Sequence, residues 1–157
     1  MKGRVAIPIH DHHGQLVAYA GLAVSQEQAE EEGSYKFPKN FCPEEIIFNL
    51  HRQDDNETWL VIAEDPLAAI LASQSGFRNT VAIMSPELGF AQEEAIIKHL
   101  GPTGRLTLLY SERITSQERV DLLFKQFSSK IFTMKAPASS ILTLPTPQPI
   151  EQIAEAI

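Results

Sequence analysis

From residue 58 onward, short apolar runs alternate with segments of about ten residues closed by glycine, and this alternation constrains the fold more than any other feature of the chain. Residues 58–63 form an apolar strand, 66–75 a helix with Pro66 in its first turn and Gly76 at its end, and 80–84 a second apolar strand. The pattern then repeats: a helix over 92–100 closed by Gly101, a strand over 105–110, a helix over 115–128 opened by the capping box of Thr115 and Glu118, and a strand over 130–134. Strands that are apolar on both faces belong in parallel sheets covered on both sides, joined by right-handed crossovers. The expectation is an α/β fold with a parallel sheet of about four strands flanked by helices.

The residues ahead of this block are different in kind. Val5, Ile7 and Ile9 alternate with Ala6 and Pro8, Asp11-His12-His13-Gly14 forms a turn, and 15–24 is again β-rich, which predicts a hairpin with Pro8 at an edge or bulge. Residues 25–34, with Glu27, Glu30, Glu31 and Glu32, predict an exposed acidic loop or a frayed helix. Pro43, followed by Glu44, Glu45, Ile46, Ile47 and Leu50, predicts a short helix reaching about Arg52. Three regions result: a hairpin with its connecting helix over 1–52, the alternating block over 53–136, and a Pro-rich tail with a short helix over 137–157.

Composition bounds the class. At 157 residues, 43% apolar and 21% charged, the chain is expected to fold as one soluble compact unit. Its formal charge of −7 repels phosphate overall, so any nucleic-acid site must be a local cationic patch. The single cysteine, Cys42, excludes an internal disulfide framework and a multi-cysteine zinc site, and a reducing cytoplasm is the expected compartment. No run is long and apolar enough to span a membrane, and the apolar stretch behind Lys2 and Arg4 stops at His10, too soon for an export signal.

Ligands of an open parallel sheet gather at the carboxyl ends of its strands. Here those ends read Glu64-Asp65, Ser85-Pro86-Glu87 and Ser111-Glu112-Arg113, and Glu64, Asp65, Glu87 and Glu112 could together hold Mg²⁺ or Mn²⁺. The competing reading places Asp65 and Glu87 at the positive ends of helices with no chemistry to perform. Glu64 directly follows an apolar run, which favours a functional placement. Lys36, Lys39, Arg78 and Arg113, with Tyr35 and Phe37 as stacking faces, could line a groove for single-stranded DNA or RNA; scattered cations on any surface are the alternative. His10, His12 and His13 beside Asp11 suit a transition metal or, more simply, a polar turn, and Cys42 reads as packing rather than as a reactive thiol.

The segment Thr58-Trp59-Leu60-Val61-Ile62-Ala63-Glu64, its following helix, and Gly76-Phe77-Arg78-Asn79-Thr80-Val81-Ala82 resemble the first half of a Toprim domain of bacterial DnaG-type primases. Gly3-Arg4-Val5-Ala6-Ile7-Pro8-Ile9, Asp11, Gly14 and 17–21 resemble the primase segment ahead of that domain, and Tyr35-Lys36-Phe37-Pro38 and 41–51 its connecting segment. The resemblance covers about residues 3–127 and implies a glutamate in acid/base chemistry with an Asp-x-Asp pair that holds Mg²⁺ for phosphoryl transfer. Glu64 matches that glutamate. The glycine that normally follows is Asp65, the aspartate three residues later is Ala68, and the Asp-x-Asp pair falls on Ser111 and Arg113. Losing both carboxylates and gaining a cation removes coordination and adds repulsion, so primase catalysis is not expected. Arg4 is retained as a candidate nucleic-acid contact, while His10 and Leu22 stand where the family carries arginines. The resemblance therefore implies a catalytically degenerate Toprim protein that binds nucleic acid or a replication partner. A rewired acidic site for phosphoryl transfer or nuclease chemistry, and an interaction scaffold without nucleic acid, are the alternatives.

Overall fold

The computed structural model describes residues 3–54, 56–85, 88–110 and 130–133. Its elements in chain order are β1 Arg4–His10, β2 Leu16–Ala23, α1 Gln26–Glu32, β3 Tyr35–Lys36, β4 Ile47–Phe48, β5 Trp59–Ala63, α2 Pro66–Gln74, β6 Thr80–Ile83, α3 Phe90–Leu100, β7 Arg105–Tyr110 and β8 Lys130–Thr133. The helix expected over 115–128 and the Pro-rich tail lie outside the described residues.

Two sheets result. The first is antiparallel, in the order β1-β2-β3. Pro8 fits because β1 is an edge strand, and the register shifts beside it, between Ile9 and His10. The third strand, β3, is a two-residue addition that the hairpin pattern does not announce. The second sheet runs β4-β6-β5-β7-β8, with β6, β5, β7 and β8 mutually parallel and β4 antiparallel at the edge. This is the expected parallel sheet of four strands, with one short strand added.

Alternation along these strands divides the core into two layers. Leu60 and Ile62 of β5, Val81 and Ile83 of β6, and Leu106 and Leu108 of β7 pack toward α3, against Ile96 and Leu100. Ala63 and Ala82 face the other way, toward Ala69 of α2 and the apolar side of the hairpin at Ile7, Ile9 and Ala20. The small residues on this second face let the hairpin sheet and α2 approach closely. Among the described residues no helix is long and apolar enough to cross a membrane.

One expectation is corrected. The helix predicted from Pro43 to Arg52 is instead a 3₁₀ turn at Pro43–Glu45, the strand β4 and a second 3₁₀ turn at Leu50–Arg52. Ile47 and Phe48 are both buried, on opposite faces, and they pair with Ile83 and Ala82; a helix would put only one of them inside. Asn49 breaks the segment in the left-handed region at φ 70°, and its amide donates to Thr80 O at 3.0 Å. By contrast, α1 is a single helix of seven residues, capped by Ser25 and with none of them buried, in line with a solvated acidic segment.

The connecting segment also carries a pH response. Burial first, then the nearby His10 and Arg52, hold the His51 imidazole below its ordinary value, against a weaker pull upward from Asp11. A histidine with a lowered folded pKa contributes stability that is present above its unfolded value near 6.5 and declines as pH falls through that region. His51→Gln is expected to flatten the urea midpoint between pH 7 and pH 5; a midpoint profile identical to that of the parent chain would contradict it.

Candidate functional site

Glu64 follows the last residue of β5, the central strand, and is half-buried at the carboxyl end of the sheet. Its neighbour on one side is the end of β7, since Ala63 is in register with Leu109. Ser111, Glu112 and Arg113 follow β7 in sequence, and they and Glu87 lie outside the described residues. Of the four acidic candidates, the structure therefore places Glu64 and Asp65. Among the described residues no cluster of three metal-ligating side chains forms.

Asp65 is the N-cap of α2. Its Oδ1 accepts from Ala68 N at 2.9 Å and from the Tyr35 hydroxyl at 2.8 Å, and that hydroxyl in turn accepts from Leu67 N at 3.0 Å. Burial, reinforced by the Asp65 charge and hydrogen bond, pushes the Tyr35 phenol well above its ordinary range, so it stays a donor at any physiological pH. One carboxylate thus caps a helix and ties β3 of the first sheet to the end of β5 in the second. This is the helix-end placement weighed for Asp65 from the sequence; the tyrosine partner is new.

The cations divide among three places. Arg4 is turned inward, its side chain 1% exposed: Nη1 donates to Gly21 O at 3.1 Å and Gly33 O at 3.0 Å, and Nη2 to Glu32 Oε2 at 3.1 Å. That guanidinium binds the hairpin to the end of α1 and offers no face to a phosphate. The Arg4 hydrogen bond, with Lys36 Nζ 3.8 Å away, holds the Glu32 carboxyl below its usual range. Lys36 and Lys39 are exposed on the segment that carries Tyr35 and Phe37; Tyr35 reaches Asp65, whereas Lys36, the next residue of β3, points to the opposite face, toward Glu32. Arg78 is exposed ahead of β6, and because β5 and β6 are parallel it lies at the opposite, amino end. It cannot line a groove at the Glu64 end. Arg113 is outside the described residues.

The aromatic residues form a ladder. Tyr35 and Phe37 have ring centroids 6.3 Å apart at an interplanar angle of 12°, and Phe37 and Phe41 5.3 Å apart at 28°. All three pack partly against the core layer that holds Ala63 and Ala82. All three are half-buried, and Lys36 and Lys39 are the exposed cations of the same segment.

Gln92 is a second residue that motif reasoning passed over. It is fully buried, yet every polar atom of its side chain is used: Nε2 donates to Pro43 O at 2.9 Å and Ile46 O at 2.8 Å, and Oε1 accepts from Gly89 N at 2.9 Å. It clips the segment ahead of β4 to the start of α3. The fit there is close, since a β-carbon at Gly89 would overlap Glu44 O. The available signal was its place on the stripe of Ile96 and Leu100, a polar residue on a core-facing helix row.

No protein-family profile matches the chain. It is 25% identical over 134 residues to a DNA primase of Mycoplasma genitalium, an alignment that covers 85% of this chain and 22% of that protein. In structure it is similar to the zinc-binding and RNA polymerase domains of the Aquifex aeolicus primase, at a TM-score of 0.66 and 20% identity over 88% of this chain and 35% of that one. A DnaG primase catalytic domain solved bound to single-stranded DNA superposes at a TM-score of 0.63, with 16% identity, over 88% of this chain and 46% of that one. The fold is that of the DnaG primase catalytic core over the part of it that this chain covers. The primase-like domain therefore carries both parts of the expected arrangement, a hairpin sheet beside a Toprim-like parallel sheet. It spans about a fifth of the length of the Mycoplasma genitalium relative.

Proposed function

We propose that this primase-like domain is a Toprim protein with a degenerate metal site that binds single-stranded nucleic acid. The observation that carries the proposal is the mismatch at the carboxyl end of the sheet. Glu64 keeps the family position beside the end of β7, but the residues that follow β7 are Ser111 and Arg113 where the pattern has two aspartates. Asp65, the nearest further carboxylate in sequence, accepts hydrogen bonds from Tyr35 and Ala68 at its Oδ1. Mg²⁺ or Mn²⁺ prefers several unencumbered oxygen ligands, and a cation at a ligand position opposes it. Lys36 and Lys39, exposed on the segment that carries Tyr35, Phe37 and Phe41, support the reading, since a single-strand groove combines charge for a backbone with rings for bases.

Fluorescence anisotropy of a labelled single-stranded oligonucleotide across a salt series tests this. Binding is expected to weaken steeply with salt and to be indifferent to Mg²⁺ and to Glu64→Gln. The Lys36→Gln, Lys39→Gln double variant should reduce the log–log slope by about 1.4, two phosphate contacts at ~0.7 each for single strands. Mg²⁺-dependent primer synthesis abolished by Glu64→Gln would overturn the degenerate assignment. Absence of binding at low salt would overturn the nucleic-acid assignment and favour a protein partner.

A further inference from the structure

We propose that an open groove between the hairpin and the last turn of α2 is a mononucleotide site, with His10 and His51 against the base and Arg52 at the phosphate. The groove has a volume of about 290 Å³. It is distinct from the Glu64 end of the sheet: Glu64 precedes the first turn of α2, while Ser73 and Gln74, which line the groove, belong to the last. A helix of nine residues separates the two by roughly 13 Å.

The lining has two characters. Ile7, Phe48 and Ile70 make an apolar wall, and His10, His51 and Arg52 converge on it from the hairpin end and the second 3₁₀ turn. The two imidazoles are half-buried and touch each other, their centroids 4.8 Å apart and tilted by 42°. A plain inorganic anion would leave the apolar wall wetted, and an apolar ligand would leave the cationic rim without a partner. A planar ring that carries a phosphate uses both, and Ser73 and Gln74 add hydrogen-bonding groups for the edge of the ring. The volume suits a single nucleotide better than a longer strand.

The fold itself leaves part of this site unsatisfied. His51 Nδ1 is buried with no hydrogen-bond partner, whereas the neighbouring Asn49 amide is committed to Thr80 O. Such an atom carries a cost that a bound partner or a proton held by a nearby anion can relieve. The charged and titratable groups that face His51 are His10 and Asp11 from the hairpin and Arg52 from its own turn; Ser73 and Gln74 of α2 are uncharged. A phosphate beside this group therefore draws a proton onto His51, and affinity rises from pH 8 to pH 6. Neither Glu64 nor the Lys36 segment enters the proposal, so it stands or falls apart from the nucleic-acid assignment.

Calorimetric titration of the full chain with adenosine 5′-monophosphate, adenosine and inorganic phosphate tests it. The monophosphate is expected to bind more tightly than either fragment, and more tightly at pH 6 than at pH 8. Arg52→Gln should weaken the monophosphate about tenfold, the effect of one charge-assisted contact, and leave adenosine unchanged. His51→Gln should abolish the gain toward pH 6 and leave only the opposite trend of the phosphate, which loses charge near its second pKa of about 6, and Glu64→Gln should alter nothing. Because Arg52 is exposed, its variant keeps the test valid if the histidine variant folds poorly. Phosphate binding as tightly as the nucleotide would reduce the groove to an anion site, and no saturable binding, or binding indifferent to Arg52→Gln, would overturn the proposal.

Discussion

Gln92→Ala is expected to lower the stability of the domain by about 2 to 6 kcal/mol, the sum for two buried groups left without a partner at roughly 1 to 3 each. The truncation removes both hydrogen bonds to the 43–46 segment and the one from Gly89 N. The Ile46 carbonyl and the Gly89 amide lose this partner, while the Pro43 carbonyl keeps Ile46 N at 3.4 Å, in a region whose packing leaves no room even for a β-carbon at Gly89. Gln92→Leu, similar in volume, separates the causes: if hydrogen bonding dominates, leucine is nearly as damaging as alanine, and if the cavity dominates, leucine restores most of the loss. Urea unfolding measures both, and a loss below about 1 kcal/mol for alanine would show that water replaces the amide there.

Asp65→Ala is expected to cost about 2 to 4 kcal/mol, because it deletes a helix cap, typically ~1, and a hydrogen bond to a charged acceptor, ~1.5 to 3. Tyr35→Phe alone should cost less, since it leaves the cap to Ala68 N intact. In the double variant the two effects should fall short of their sum by about 1 kcal/mol, the signature of residues in contact. Strict additivity would mean that the tyrosine and the carboxylate act independently. The pair also gives a physical account of one departure from the family pattern: where that pattern has glycine, aspartate here joins the two sheets.

The parallel sheet was legible because its signal is redundant. β5 and β6 are apolar on both faces, β7 is apolar on its core face, and each helix is closed by a nearby glycine, so several local cues agree. The 43–52 segment was not legible because Ile46, Ile47 and Leu50 fall at helical spacing while the pairing of Ile47 with Ile83 comes from a strand more than thirty residues away. The αL residue that ends β4 is an asparagine, which is compatible with either outcome. At the site, the position of Glu64 followed from the end of an apolar run, and the capping role of Asp65 from the proline after it. Arg4 could not be placed the same way. A cation at the start of a strand reads as surface, and the carbonyls of Gly33 and Ser34 that draw it inward leave no trace in side-chain patterning.

The position of Pro8 bears on self-association. An edge strand presents a row of backbone donors and acceptors that a second copy could extend into a continuous sheet. In β1 that row is interrupted twice in succession, once by a residue with no N–H and again by the register shift between Ile9 and His10. The outer side of the hairpin, with Val17 and Tyr19 exposed, is apolar enough to attract another copy, but the backbone beside it is a poor template for extending one. Contact through this face would therefore be side chain to side chain, and hence reversible, rather than the open-ended strand addition that leads to fibres.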